Sequence, residues 1–161
     1  MLSGPARAAQ TSGPDPAVMA TVEAALAAGT AGDVERMRSA YAADCAFIDE
    51  FEPFYWRGPG ALDAWLASGA RMYQQTGRRD GRVTVSPPAF VYVSGDRAFV
   101  VEPLAGRATM NGRPYAQAGR FAFTLARIEG RWKITSQTWT KARESWDPYR
   151  SASRHQPSAT R

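Results

Sequence analysis

Two carboxylates stand where the pattern of the chain could give them chemistry. Asp49 closes the short apolar run Cys45-Ala46-Phe47-Ile48, and Glu102 falls among apolar residues of a later strand. A carboxylate at the mouth of an apolar cavity has its pKa raised by desolvation, which suits proton abstraction beside a carbonyl. Each has a plainer reading. Asp49 ends a strand and can accept backbone hydrogen bonds in the next turn. Glu102 can form a structural ion pair with Arg107 or Arg120. If both are functional, Asp49 acts as base and Glu102 as partner acid, with Tyr41, Tyr115 or Gln117 as polar positioners.

Other chemistries lack their residues. His155 is the single histidine and lies near the C-terminus, so neither a His-based metal site nor a Ser-His triad is expected. No metal or cofactor is implied. Gly58-Pro59-Gly60 lacks the spacing and the lysine of a phosphate loop. Cys45 is the only cysteine; it reads as a small buried apolar residue in a reducing compartment rather than a reactive thiol.

The elements that must position these groups follow from periodicity. Asp15-Pro16 reads as an N-cap and first helical residue, Val18, Val22, Ala25 and Leu26 as one stripe, and Gly29 as the stop. Asp33 caps a second helix with Val34, Met37 and Tyr41 on one face. A third follows Gly58-Pro59, with Leu62, Trp65, Leu66 and Met72 inward. Phe51 to Trp56 is an aromatic short strand or lip. Beyond Gly81 the period becomes two, and Pro87-Pro88 interrupts a strand over 82–93 with an expected bulge or kink.

Two tight turns fix a register. A two-residue loop at Asn111-Gly112 places Glu102 opposite Phe121, Val100 opposite Phe123 and Ala98 opposite Leu125. A second, at Glu129-Gly130, places Phe121 opposite Thr138, Phe123 opposite Ser136 and Leu125 opposite Ile134. The inner face then carries apolar residues at one end and Glu102, Phe121, Ser136 and Thr138 at the other, where a pocket should open. Trp56, Tyr115 and Gln117 are expected to complete its lining, and Trp65 to be core. Trp139 falls on the opposite face with Phe99 and Val101, which suits a dimer contact.

Charge and length complete the outline. The chain of 161 residues fits one domain: a loose arm over 1–14, a folded unit over 15–141 and a basic tail over 142–161. Net charge is +5, yet residues 15–140 hold 14 basic and 13 acidic groups, so the body is near neutral. A folded nucleic-acid surface needs a basic stripe on the domain itself and is not expected. No stretch approaches a membrane span and no secretory leader is read, so a cytoplasmic protein is expected.

Gly32-Asp33, Tyr41-Ala42-Ala43-Asp44, Phe47, Asp49, Arg57-Gly58 and Gly130-Arg131-Trp132-Lys133-Ile134 occur in that order. Together they resemble the SnoaL-like branch of the nuclear transport factor 2-like superfamily over residues 17–140. The resemblance implies an α+β cone: three N-terminal helices packed on a strongly bent, mainly antiparallel sheet that encloses a pocket. It also implies a homodimer through sheet faces and a small, hydrophobic or ring-bearing ligand. The run from Tyr41 to Asp49 is similar to that of ketosteroid isomerases and puts Asp49 at the position of their general base. The chain departs from them by having no Tyr in the first helix and no acidic residue in Arg120–Ile128, so their oxyanion donors are missing. The His often found in the final strand of SnoaL-like proteins is replaced by Ser136 and Thr138.

Overall fold

The computed structural model describes residues 15–144; the expected arm over 1–14 and most of the expected tail lie outside the described residues. Three helices, α1 (Pro16–Ala31), α2 (Val34–Ala40) and α3 (Ala61–Gln75), pack on a curved, unclosed seven-stranded sheet. The strands are β1 (Tyr41–Ile48), β2 (Tyr55–Gly58), β3 (Arg79–Val85), β4 (Phe90–Ser94), β5 (Arg97–Met110), β6 (Arg113–Ile128) and β7 (Arg131–Glu144). Their order is β2-β1-β7-β6-β5-β3, with β4 also on β5. The β1–β7 pair is parallel and the others are antiparallel, giving a mixed α+β sheet.

Capping chemistry sets the helix starts. The Asp15 carboxylate accepts from Ala17 N at 2.9 Å, and Asp33 accepts from Arg36 N at 3.0 Å. Each removes one orphan donor of the first turn. The first helix does not stop at Gly29. That residue stays helical against Met37, and Gly32, at φ 70°, supplies the left-handed terminus that glycine adopts freely. Tyr41 is not the last residue of α2 but the first of β1, so its ring enters from the sheet.

The core lies between α1 and the concave sheet face, where Val18, Val22, Phe47, Val100, Phe123, Leu125 and Ile134 are fully buried. Each such side chain contributes about 1.5–3 kcal/mol relative to exposure. The pair Pro87-Pro88 does more than kink one strand: it separates β3 from β4, and both then pair with β5. Missing amide donors and fixed φ explain why the ladder stops there.

The Asn111-Gly112 hairpin forms with positive φ at both residues and carries the expected pairing of Glu102 with Phe121 and Val100 with Phe123. The Glu129-Gly130 hairpin also forms and pairs Leu125 with Ile134. The expected register fails immediately beyond that pair. Thr135 is an extra residue opposite the Thr124–Leu125 step, so Ser136 faces Thr124, Gln137 faces Phe123 and Trp139 faces Phe121. The bulge is stitched by hydroxyls: Thr135 Oγ1 donates to Thr124 O at 3.1 Å, and Thr124 Oγ1 lies 2.6 Å from Ser136 Oγ. One inserted residue exchanges the two faces of a strand. Gln137 and Trp139 therefore point inward with the row of Glu102 and Phe121, while Ser136 and Thr138 turn to the convex face.

Candidate ligand cavity and its carboxylate

Between α1, α3 and the open end of the sheet lies a cavity of about 400 Å3. That size suits a small organic ligand. Its wall is mostly apolar, with Leu26, Phe51, Leu66, Leu104, Phe121 and Trp139 prominent. The Phe121 and Trp139 rings lie 5.1 Å apart at 60° and form part of one side. Polar side chains in the lining include Asp49, Tyr41, Gln117, Gln137 and Arg78, together with Glu50, which is held in an ion pair by Lys141.

Asp49 follows the last residue of β1, where the strand leaves the sheet. Its backbone N donates to Phe54 O at 3.2 Å, closing the loop that leads into β2. Its carboxylate accepts from Trp65 Nε1 at 2.9 Å and from Glu50 N at 2.8 Å. The strand-end reading and the cavity reading thus describe one residue: the carboxylate is held by its own turn and also lines the cavity. Burial raises its pKa to about 6, against the lowering effect of those two hydrogen bonds and of the Arg78 charge. Trp65, expected in the core, does two jobs. Its ring stacks on Phe47 at 4.8 Å and 10°, and its indole N–H orients the carboxylate.

Tyr41 is buried and its hydroxyl donates to Gln137 Oε1. Desolvation pushes the phenol well above its ordinary pKa, so it stays a neutral donor. Tyr115 is also buried; its hydroxyl donates to Gln117 Oε1 at 2.8 Å, and Gln117 rather than Tyr115 meets the cavity. Gln117 leans across Gly106, where any Cβ would come within 3.4 Å of it. Trp56, the expected wall residue, instead packs beneath Phe51 at 5.3 Å and is buried, and Phe51 reaches the cavity in its place.

Glu102 faces inward beside Phe121 and is 2 % exposed, without lining the cavity. No ion pair to Arg107 or Arg120 forms among the described residues, and its Oε2 has no hydrogen-bond partner. Desolvation, and secondarily the charge of Glu23 on α1, raise its pKa. Ser136 and Thr138 are removed from this side by the bulge at Thr135.

Sequence reading thus places Asp49, Tyr41, Gln117 and Phe121 at the cavity and misses Arg78, Trp65, Gln137 and Trp139. Arg78 follows Gly77 at the end of α3, a position with no periodic signal. Among the described residues no cluster of three His, Cys, Asp or Glu side chains gathers that could hold a metal ion. No described helix is long and apolar enough to cross a membrane.

Three helices on a bent, unclosed sheet with a cavity at its open end define the cystatin-like, nuclear transport factor 2-like class of α+β folds. The solved structures agree. The hexachlorocyclohexane dehydrochlorinase LinA-type3 from Novosphingobium barchaimii LL02 superposes with a TM-score of 0.69 at 13% identity, covering 80% of this chain and 86% of that one. A ketosteroid isomerase-like protein from Erwinia carotovora atroseptica SCRI1043 gives 0.62 at 21% identity, covering 79% and 95%. A protein of unknown function with a cystatin-like fold from Nostoc punctiforme PCC 73102 gives 0.60 at 14% identity, covering 78% and 89%. Residues 18–149 match the SnoaL-like domain, and the chain belongs to that family. No curated protein matches it in sequence.

Proposed function

We propose that the protein binds a hydrophobic, oxygenated small molecule in this cavity and moves a proton on it, as a cofactor-independent isomerase, cyclase or lyase. The observation that carries the reading is Asp49: a cavity-wall carboxylate, oriented by Trp65 Nε1 at 2.9 Å, with a pKa of about 6. A base with that pKa is largely ionised at neutral pH yet stronger than an ordinary carboxylate. Asp49 would take a proton from a carbon beside a carbonyl. The C–H bond breaks, an O–H bond forms on Asp49, and the electron pair moves to the carbonyl oxygen. Return of the proton at another carbon gives an isomerase, and expulsion of a group from the β-carbon gives a lyase.

Tyr41 and Gln117 would position the ligand, with Phe121 against its apolar part. Glu102, expected as the partner acid, is buried beside Phe121 without lining the cavity, so in this reading the proton's return falls to Asp49 itself. The direct test is deuterium uptake at the α-carbon of 1-tetralone, followed by NMR. Uptake should fall at least about 100-fold in Asp49→Asn; undiminished exchange in that variant removes the assignment.

A non-catalytic ligand-binding or assembly module is the second reading, and the convex face of the sheet favours assembly. Phe90, Tyr92, Phe99, Ile48 and Tyr55 are exposed there on paired strands. The occupant we propose is a second copy of the chain, meeting it sheet to sheet. Trp139 has no part in that contact, since it lines the cavity. Cys45, a buried free thiol, fits a reducing compartment such as the cytoplasm.

A further inference from the structure

We propose that Arg78 anchors an anionic, or anion-developing, oxygen of the ligand, so that the ligand class is an apolar ring system bearing an enolisable carbonyl or a phenol-like hydroxyl. The inference rests on the cavity reading above and adds a charged oxygen-binding donor to the neutral ones of Tyr41 and Gln117.

Arg78 is held in place by its surroundings although no carboxylate pairs with it among the described residues. Its backbone N donates to Tyr73 O at 2.9 Å just after α3. Its guanidinium lies over the Tyr73 ring at 4.7 Å from the centroid and near that of Tyr115 at 5.9 Å. Those faces hold a cation but accept none of its N–H groups in a conventional hydrogen bond. Its Nε is buried and has no hydrogen-bond partner. A donor in that state is costly, and more so when it carries charge. The same side chain lines the cavity. A ligand oxygen entering there would meet a cation that no described carboxylate neutralises by direct contact.

Asp49 is not that missing partner. It is oriented by Trp65 Nε1 and Glu50 N with acceptor capacity left over, and it stands outside ion-pair distance of Arg78 while still feeling its charge. The lining of the cavity therefore holds a base and a cation that do not pair with each other. This arrangement conserves charge through the proposed step. Before it, Asp49 is the anion opposite Arg78; after it, Asp49 is neutral and the enolate oxygen is the anion, held by the guanidinium. Preorganised donors aimed at developing charge are among the strongest contributions to such reactions. A fork of N–H groups can also take two oxygens of one ligand group side by side.

The test uses 4-nitrophenol, whose anion absorbs visible light, with the whole 161-residue chain carrying Asp49→Asn as an uncharged stand-in for the protonated base. The expected result is preferential binding of the anion, with the bound probe ionising at lower pH than free probe. Adding Arg78→Met to Asp49→Asn should weaken anion binding at least tenfold and return the ionisation to that of free probe. Arg78→Lys should keep part of the effect, and circular dichroism should show all variants folded. Undiminished anion binding by Arg78→Met overturns the proposal, as does binding of the neutral phenol alone when Arg78 is retained. The parent protein, with its ionised Asp49, should bind the anion less tightly than Asp49→Asn. Anion binding that depends on Arg78 but is equally strong in the parent and in Asp49→Asn would keep the anchor while removing the base, so the two readings fail separately.

Discussion

Trp65 Nε1 donates to Asp49 Oδ2 at 2.9 Å, while the same indole ring stacks on Phe47 at 4.8 Å. The stack fixes the ring and the ring fixes the carboxylate, so a core contact sets the direction of a cavity group. Trp65→Phe keeps the stack and removes the donor. A hydrogen bond to a charged group is worth about 1.5–3 kcal/mol, part of which water regains. The Asp49 pKa should therefore rise further, by on the order of one unit. Exchange measured against pH should show an ascending limb at about pH 6 in the parent protein, displaced upward in Trp65→Phe and absent in Asp49→Asn.

The same raised pKa has a consequence for stability. An acid whose folded pKa exceeds its unfolded value binds more protons when folded, so stability falls as pH rises between the two. For Asp49 that window runs from its ordinary value of 3.8 to about 6. The full cost is then present at neutral pH, at most about 3 kcal/mol by the linkage relation. Asp49→Asn should unfold at higher urea than the parent at neutral pH, and the difference should shrink on acidification through the window. An equal difference at both ends would mean that burial of the charge is not what strains the site.

Glu102 offers a sharper case of the same sign. It is 2 % exposed, with Oε2 unpartnered and its pKa raised first by burial and then by Glu23. Stability contributed by the protonated form is present at low pH and declines once the pH climbs through the folded pKa. Glu102→Gln retains the shape and removes the ionisation, so its melting temperature should lie above the parent's in alkaline solution. Each kcal/mol relieved corresponds to roughly 2–4 °C for a domain of this size. A variant that unfolds at every pH would instead show that Glu102 has a structural partner.

Much of this architecture is legible in the chain, and the part that is not has a physical reason. Asn111-Gly112 demands positive φ at two adjacent residues, which selects one turn and hence one register, and Glu102 pairs with Phe121 accordingly. The register from Glu129-Gly130 holds only as far as Leu125 and Ile134. Thr135 then enters as an extra residue, stabilised by hydroxyls of Thr124 and Ser136 that carry no periodic mark. The sequence pattern therefore points Ser136 and Thr138 inward, where the fold puts Gln137 and Trp139. Arg78 escapes for another reason: it becomes a cavity residue only because α3 and the sheet converge on it. The Asp49 position is readable because strand end and motif coincide there.

The convex sheet face makes a separate prediction. Paired strands bring Phe90, Tyr92 and Phe99 together in the open, where isolated apolar residues would be ordinary but a continuous patch is not. A second copy covering it should give a dimer by sedimentation at micromolar concentration. Phe99→Lys puts a charge in the middle of the patch and should yield monomers whose fold and cavity are unchanged. A parent protein that sediments as a monomer would refute the contact outright.

Gly119 ties the shifted register to the cavity wall. A Cβ built there would lie 2.2 Å from Thr140 O and 2.6 Å from the Trp139 ring. The ring could turn away, but the carbonyl belongs to the neighbouring strand and cannot move without breaking the ladder beside the second irregularity, at Ala118 and Gly119. Gly119→Ala should therefore destabilise the protein by about 1–3 kcal/mol or more, as overpacking against backbone does. It should also push Trp139 off Phe121, so that tryptophan emission shifts to the red in whatever fraction remains folded. Trp139→Phe removes the side-chain collision but not the one with Thr140 O. If adding it to Gly119→Ala restored full stability, the ring and not the strand backbone would be what requires glycine.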